Sequence, residues 1–304
     1  MFRSLLVPLD GSPFGEHALP FAVGIAKRAG AALQLLQVHV PLDDFSVIPA
    51  VRSSPDEWIK DQEWTYLDRL VRRWTIAVPE IQMNTALLEG FPPDVLREQM
   101  SKADLVVMAT HGRGPASRFW LGSVADALVR IATVPLLLLR PSEQPPPAAL
   151  APSFRQLMIP LDGSDLAEQV LGPAMQLGRL MEASYTLLRV VKPVVTLDPN
   201  LGWPAVAGMN ETLTRQALDE AQAYLDRIAK HLRGQGLAVQ TRTVLHTRPA
   251  DAVLEATREE GADLLALATH GRGGIRRMLL GSVADKVLRG GSTPMLVCRP
   301  QTHS

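Results

Sequence analysis

Short apolar runs alternate with longer amphipathic stretches through the chain. The runs lie at residues 4–9, 32–40, 82–88, 105–109 and 134–139, and the last four recur at 184–191, 238–245, 264–268 and 294–298. Each is short and rich in Val and Leu, the pattern of strands buried on both faces of a parallel sheet. Between them, apolar positions three and four apart predict helices over residues 13–29, 56–74, 93–100 and 123–131. Tyr224, Leu225, Ile228, Ala229 and Leu232 repeat that spacing in the second half. Strand and helix in alternation predict α/β domains, each an open, doubly wound parallel sheet of five strands with helices on both faces.

The pattern is written twice. Ala109-Thr-His-Gly-Arg-Gly114 leads to Leu121-Gly-Ser-Val-Ala-Asp126, and Ala268-Thr-His-Gly-Arg-Gly273 leads to Leu280-Gly-Ser-Val-Ala-Asp285. Leu6-Val-Pro-Leu-Asp-Gly-Ser12 likewise returns as Met158-Ile-Pro-Leu-Asp-Gly-Ser164. Asp10 and Asp162 stand 152 residues apart but Gly122 and Gly281 stand 159 apart, so the length difference falls in mid-unit, where a surface loop absorbs it. Two domains follow, residues 1–141 and 154–304, joined by a linker at 142–153 in which Pro145-Pro-Pro147 interrupts both periodicities. Residues 41–55 and 193–210 are proline-rich and differ between halves. They read as mobile loops over the two crevices, with unequal affinity as the consequence.

Composition narrows the class. A chain of 304 residues suffices for two such cores. Lys plus Arg and Asp plus Glu each total 31, so no global field draws the chain toward nucleic acid or acidic lipid. The single cysteine, Cys298, sits in an apolar strand pattern and reads as a buried thiol in a reducing cytoplasm. No apolar run reaches membrane-spanning length, and the first residues read as a strand rather than a signal peptide. A cytoplasmic protein without a membrane or nucleic-acid partner is expected.

In an open α/β sheet, ligands bind beyond the carboxyl ends of the strands, where strand order reverses. Asp10 closes strand one, Val40 strand two and Ala109 to Gly112 strand four; the counterparts are Asp162, Val190 and Ala268 to Gly271. A carboxylate there accepts hydrogen bonds from ribose hydroxyls, and glycine lets backbone amides approach phosphate oxygens. The arrangement suits a nucleotide. Structural readings compete with it. Ser123 and Ser282 begin helices with Asp126 and Asp285 three residues on, a capping-box pattern that a helix start uses with or without a ligand. The same N-terminus, with its dipole, accepts phosphate. Asp-Gly-Ser is also ordinary turn chemistry, with Ser12 as cap and Pro13 at the first helical position. Arg113, Arg118, Arg272, Arg276 and Arg277 lie on the connecting loops, either as charge complements to phosphate or as solvated surface.

Other residues carry less. His111 and His270 lack a second ligand at metal spacing, so loop packing or a backbone hydrogen bond is expected in place of a metal site. Trp58, Trp64 and Trp74 fall on a predicted helix and read as core or interface packing. The P-loop, the dinucleotide fingerprint and the hydrolase nucleophile elbow are absent, and no general base is tied to a nucleophile. No catalytic residue is assigned.

Over nearly its whole length the chain resembles the universal stress protein family in its tandem, two-domain form. Nucleotide-binding members carry G-x-x-G-x9-G-[ST]. Here Ala109 to Gly112 precedes Gly122-Ser123 by nine residues, and Ala268 to Gly271 precedes Gly281-Ser282 by nine, with Ala at the first Gly of both. The resemblance implies that Pro8, Asp10 and Val40 line the adenosine side in the first domain, and Pro160, Asp162 and Val190 in the second. Gly112, Gly122, Ser123 and Val124 would hold phosphates, as would Gly271, Gly281, Ser282 and Val283. It also implies strand order 3-2-1-4-5 and antiparallel pairing of the last strands, Leu136–Leu139 against Met295–Cys298. A pseudo-twofold tandem follows, with homodimerisation left open. The implied function is binding of ATP, with Mg²⁺, by a stress-response regulatory module that acts on a protein partner with little or no catalysis. Two other readings stay open. One is a slow Mg²⁺-dependent ATPase or phosphotransferase, with Asp10 or Asp162 positioning the metal. The other is a nucleotide-free interaction scaffold in which Ala109 and Ala268 close the phosphate site.

Overall fold

The computed structural model describes residues 2–41, 55–110, 121–141, 152–198, 206–270 and 280–301. The chain divides into two compact units, Met1–Ser153 with Pro294–Arg299, and Phe154–Thr293 with Pro300–Ser304.

The first unit contains β1 (Ser4–Leu9), α1 (Leu19–Ala29), β2 (Ala32–His39), α2 (Pro55–Ala77), β3 (Met83–Glu89), α3 (Pro92–Met100), β4 (Leu105–Ala109), α4 (Ser123–Ile131) and β5 (Leu136–Leu139). Its strands run β3-β2-β1-β4-β5, all parallel, which is the order 3-2-1-4-5. Every residue of β4 and β5 is buried, as expected of strands covered on both faces. The second unit follows the same plan with β6 (Gln156–Pro160), α5 (Asp165–Glu168), α6 (Leu171–Leu180), β7 (Ser184–Val191), β8 (Val195–Asp198), β9 (Val206–Met209), α7 (Glu211–Gly234), β10 (Val239–Leu245), α8 (Pro249–Glu259), β11 (Leu264–Ala268) and α9 (Ser282–Gly290). The parallel order there is β10-β7-β6-β11. The last strand of the chain, β12 (Met295–Cys298), clusters with the first unit. It pairs antiparallel with β5, Met295 opposite Leu138 and Val297 opposite Leu136. An apolar strand edge is covered in this way.

A carboxylate fixes the start of each sheet. Asp104 Oδ2 accepts from the amides of Arg3 (2.6 Å) and Ser4 (3.1 Å), and Asp263 accepts from those of Arg155 (2.8 Å) and Gln156 (3.0 Å). Each clip holds the first strand of its unit against the start of the fourth.

Three expectations change. The helix predicted over residues 13–29 is broken into a 3-10 turn, Gly15–Ala18, and α1, because Pro20 in the first turn of α1 lacks the amide that would continue the ladder. The second unit breaks in the same place, between α5 and α6. Residues 193–210, expected as a loop, form the antiparallel ladder β8–β9 at their two ends. Of the three tryptophans on α2 only Trp74 is buried; Trp58 and Trp64 face solvent.

Candidate functional site

The turn after the first strand is built identically in both units. Gly11 and Gly163 take φ 76° and 80°, a left-handed bend that glycine enters without steric cost. Asp10 Oδ1 then accepts from the Ser12 amide (3.0 Å) and hydroxyl (2.7 Å), and the Ser12 hydroxyl accepts from the Gly15 amide (3.2 Å). Asp162 Oδ1 accepts the matching pair from Ser164, whose hydroxyl caps α5 at the Ala167 amide. The turn-and-cap reading of Asp-Gly-Ser is thus satisfied. It holds each half-buried carboxylate at the carboxyl end of its strand.

The loop after the fourth strand returns to the sheet through a glycine. Gly122 donates its amide to the Thr110 carbonyl and Gly281 to that of Thr269, both at 2.8 Å. A Cβ on Gly281 would lie 3.0 Å from that carbonyl oxygen. These glycines, not the serines, are the N-caps of α4 and α9, and among the described residues no side chain caps either helix. Ser123 and Ser282 are the first helical residues. The expected capping box does not form, because Asp126 and Asp285 pair with Arg130 and Arg289 one turn on, each at 3.0 Å. Ser123, Ser282 and Val283 are exposed and Val124 is half-buried. His111, Gly112, Arg113, Arg118, Gly271, Arg272, Arg276 and Arg277 lie outside the described residues.

In the second unit these parts surround a cavity of about 1160 Å³. Pro160, Asp162, Val190, Ala268, Gly281, Ser282 and Val283 all line it. Of the residues that the resemblance implies for this half, only Gly271 is missing from that lining, and it lies outside the described residues. Side chains unforeseen from sequence complete the wall. The Arg189 guanidinium lies 5.3 Å from the Tyr224 ring centroid, within cation–π reach. Tyr224 donates its hydroxyl to Glu168 Oε1 at 2.9 Å. Burial, followed by the Glu168 hydrogen bond and charge, pushes the Tyr224 phenol well above its ordinary pKa, so it remains a donor. His270 places Nδ1 2.8 Å from the Thr269 hydroxyl, and its Nε2 is buried without a hydrogen-bond partner among the described residues. Loop packing or a backbone hydrogen bond was expected there; the bond that forms is to a side chain.

In the first unit Pro8 and Asp10 are half-buried and Ala109 is buried at the end of β4. Strand register moves one expected residue. Pro8 lies opposite Leu36 and Pro160 opposite Leu188, so the counterpart of Val190 is Val38. Val40 lies past the end of β2 and is 57% exposed, and its counterpart is Lys192. The ungapped match of Leu35-Leu-Gln-Val38 with Leu187-Leu-Arg-Val190 carried that register in the sequence.

The first unit also differs in what faces its second strand. His39, 1% exposed, sets Nδ1 2.7 Å from Glu63 and Nε2 2.9 Å from Asp56, both on α2. Lys60 joins Asp56 (3.2 Å) to Glu89 (2.9 Å), the residue opposite His39 on β3. With both ring nitrogens facing carboxylate oxygens, His39 donates from both. Among the described residues no group of three or more His, Cys, Asp or Glu is placed to hold a metal ion, and no helix is long and apolar enough to cross a membrane.

Comparison with known proteins agrees with this fold. The model of the universal stress protein family matches residues 1–140 and again 153–299. A universal stress protein of Mycobacterium tuberculosis is 26% identical over 303 residues, covering 98% of this chain and 97% of that protein. One from Methanocaldococcus jannaschii is 30% identical over 146 residues, 48% of this chain and 82% of that relative. The crystal structure of a universal stress protein from Archaeoglobus fulgidus shares the fold at TM-score 0.66 and 19% identity, over 98% of this chain and 96% of that one. With two matches that together span nearly all of it, the chain belongs to the universal stress protein family and carries two of its domains in tandem.

Proposed function

We propose that the chain is a stress-response regulatory module that binds an adenine nucleotide, ATP with Mg²⁺, in the second-unit cavity. The observation that carries the reading is the convergence on one cavity of an anchored carboxylate, Asp162, and the N-terminus of α9, which no side chain caps among the described residues. The first suits ribose hydroxyls. The second presents amides and a favourable dipole to phosphate. Ala268 lines the same cavity, and its methyl leaves room of about 1160 Å³, which argues against the scaffold reading for this unit. The one hydroxyl–imidazole pair in the described lining is Thr269 with His270, and Thr269 is fully buried, so its hydroxyl is not presented as a nucleophile, which supports binding over turnover. Occupancy stabilises the liganded conformation and so alters what a protein partner meets.

Calorimetric titration of nucleotide-stripped protein with ATP and Mg²⁺, beside Gly281→Glu, tests the proposal. Saturable binding lost in the variant supports it. An absence of heat, with a thermal midpoint unmoved by excess ATP, rejects it.

A further inference from the structure

The two units carry different side chains at equivalent positions. Leu67, Leu70 and Trp74 form the buried stripe of α2, and Leu225, Ile228 and Leu232, each 158 residues on, form that of α7. By this register Ala217 and Ala221, which line the second-unit cavity, correspond to Ile59 and Glu63. Val191, on the opposite wall, corresponds to His39. Two alanines and a valine are replaced by three larger side chains, two of them joined by a hydrogen bond of 2.7 Å.

On the same strand and helix lie buried polar groups without partners among the described residues. Gln37 shares a face of β2 with His39. It is 2% exposed, and its Oε1 has no hydrogen-bond partner among the described residues. The Tyr66 hydroxyl, on α2, is buried and equally unpartnered there. Their counterparts are Arg189 and Tyr224, which are in contact and line the open cavity. Tyr66 lacks the acceptor that Tyr224 has, because Glu16, the counterpart of Glu168, takes a hydrogen bond from Arg73 at 3.1 Å. Buried polar groups without partners are costly, and the exceptions call for an explanation.

We propose that His39, bridging Asp56 and Glu63, is a latch closed over a second ligand crevice in the first unit, with Gln37 and Tyr66 as the polar groups it seals. Release of the latch presents Gln37 Oε1 as an acceptor and the Tyr66 hydroxyl as donor or acceptor to an entering ligand. Where the second unit offers the Arg189 cation, this crevice offers a neutral amide, so it favours a ligand's uncharged end there. The ligand class is that of the preceding section and rests on it; the latch does not. The charged groups around His39 are Asp56, Glu63 and Lys60 from α2 and Glu89 from β3, while Asp10, Glu16, Arg69 and Arg73 act on the neighbouring Tyr66. Burial works against charge on His39, yet the hydrogen bonds and charges of Asp56 and Glu63 outweigh it and hold the imidazole above its ordinary pKa. A closed latch is therefore the protonated one.

Thiol accessibility tests this without any nucleotide. Gln37→Cys and Arg189→Cys proteins are treated with an aromatic disulfide reagent at one fixed pH; the native Cys298 is silent, its thiol buried and pushed up to about 12. Arg189→Cys is expected to react at least tenfold faster than Gln37→Cys. Adding His39→Val, Ile59→Ala and Glu63→Ala to Gln37→Cys should recover at least that factor. Equal rates for the two single variants, or no acceleration in a latch variant that still melts cooperatively, overturn the proposal. Should the triple change fail to fold, ring C–H correlation spectra of the wild type, with His39 assigned by its loss in His39→Gln, decide. Followed across pH, an imidazole that titrates above its ordinary range supports the latch, and one that titrates below it refutes the latch. In titrations with ATP and Mg²⁺ the wild type should take one equivalent, sensitive to Gly281→Glu, and the latch variant a second, sensitive to Gly122→Glu. Two equivalents in the wild type overturn the latch. None in either protein overturns the nucleotide reading, and the thiol rates and His39 spectra still decide the latch.

Discussion

Glu182 sits at φ 55°, the left-handed conformation that Gly30 adopts at φ 63° in the corresponding position of the first unit, 152 residues earlier. In the first unit Gly30 ends α1 as a left-handed cap, its amide bonded to the Ala26 carbonyl. The second unit makes the same turn after α6 with a side chain that disfavours it. The left-handed conformation costs an L-residue about 1–2 kcal/mol, part of which glycine's greater unfolded-state freedom offsets. Glu182→Gly is therefore expected to stabilise the second unit by roughly 0.5–1 kcal/mol. Denaturant unfolding reads this directly, and a loss of stability would mean that the turn does not need the left-handed conformation.

A second exchange between the repeats concerns packing. Gly178 lies against the ring of Tyr185, which is fully buried, and a Cβ there would run into the ring's hydroxyl end. The first unit has Ala26 and Leu33 at these two positions. Gly178→Ala alone should cost about 1–3 kcal/mol through overpacking. Combined with Tyr185→Leu it should cost much less than the sum of the single changes. A double-mutant cycle measures the coupling; strict additivity would show that the ring moves aside freely.

These pairs show what could be read from the sequence and what could not. The alternation of elements and the turn at Asp10 and Asp162 followed from periodicity and repetition, because short apolar runs and Asp-Gly-Ser turns are encoded locally, whereas the strand order came from the family resemblance alone. Val40 was placed two residues from the register position because strand ends are set by pairing between strands, and His39 closes β2. The serines of α4 and α9 resembled caps, but the carbonyls of Thr110 and Thr269 draw the preceding glycine into that role. The Arg189–Tyr224 pair in the wall and its bond to Glu168 join residues from α5, β7 and α7, contacts that no local pattern carries. The His39 cluster became visible only once the helix register of α2 against α7 was known.

Gly281 tests how closely the loop after β11 must approach the sheet. With its Cβ position 3.0 Å from the Thr269 carbonyl oxygen, even alanine forces that carbonyl or the α9 N-terminus to shift. Gly281→Ala is expected to cost about 1–2 kcal/mol of stability through overpacking, and to weaken ATP binding by misplacing the α9 amides. Gly172→Ala, with nothing near its Cβ position, serves as the control for a glycine without contacts. Unchanged melting and unchanged ATP heat in Gly281→Ala would show that the close approach is not required.

The His39 cluster fixes the sign of a pH dependence. The folded protein holds the imidazole above its ordinary pKa, and the unfolded chain returns it to about 6.5. A raised folded value means that the native state binds the proton more tightly. The resulting stabilisation is fully present below about pH 6.5 and is lost as pH rises through the folded pKa. Hydrogen bonds to charged groups contribute about 1.5–3 kcal/mol, and solvent screening of the partly exposed Asp56 favours the lower end. His39→Gln should therefore lower the stability of the first unit by about 2 kcal/mol at pH 6 and by clearly less at pH 9. Denaturant melts of wild type and variant across that range provide the measurement. A difference that stays constant, or widens toward high pH, would mean that His39 is neutral in the folded protein and that its contacts are those of an uncharged hydrogen-bonded ring.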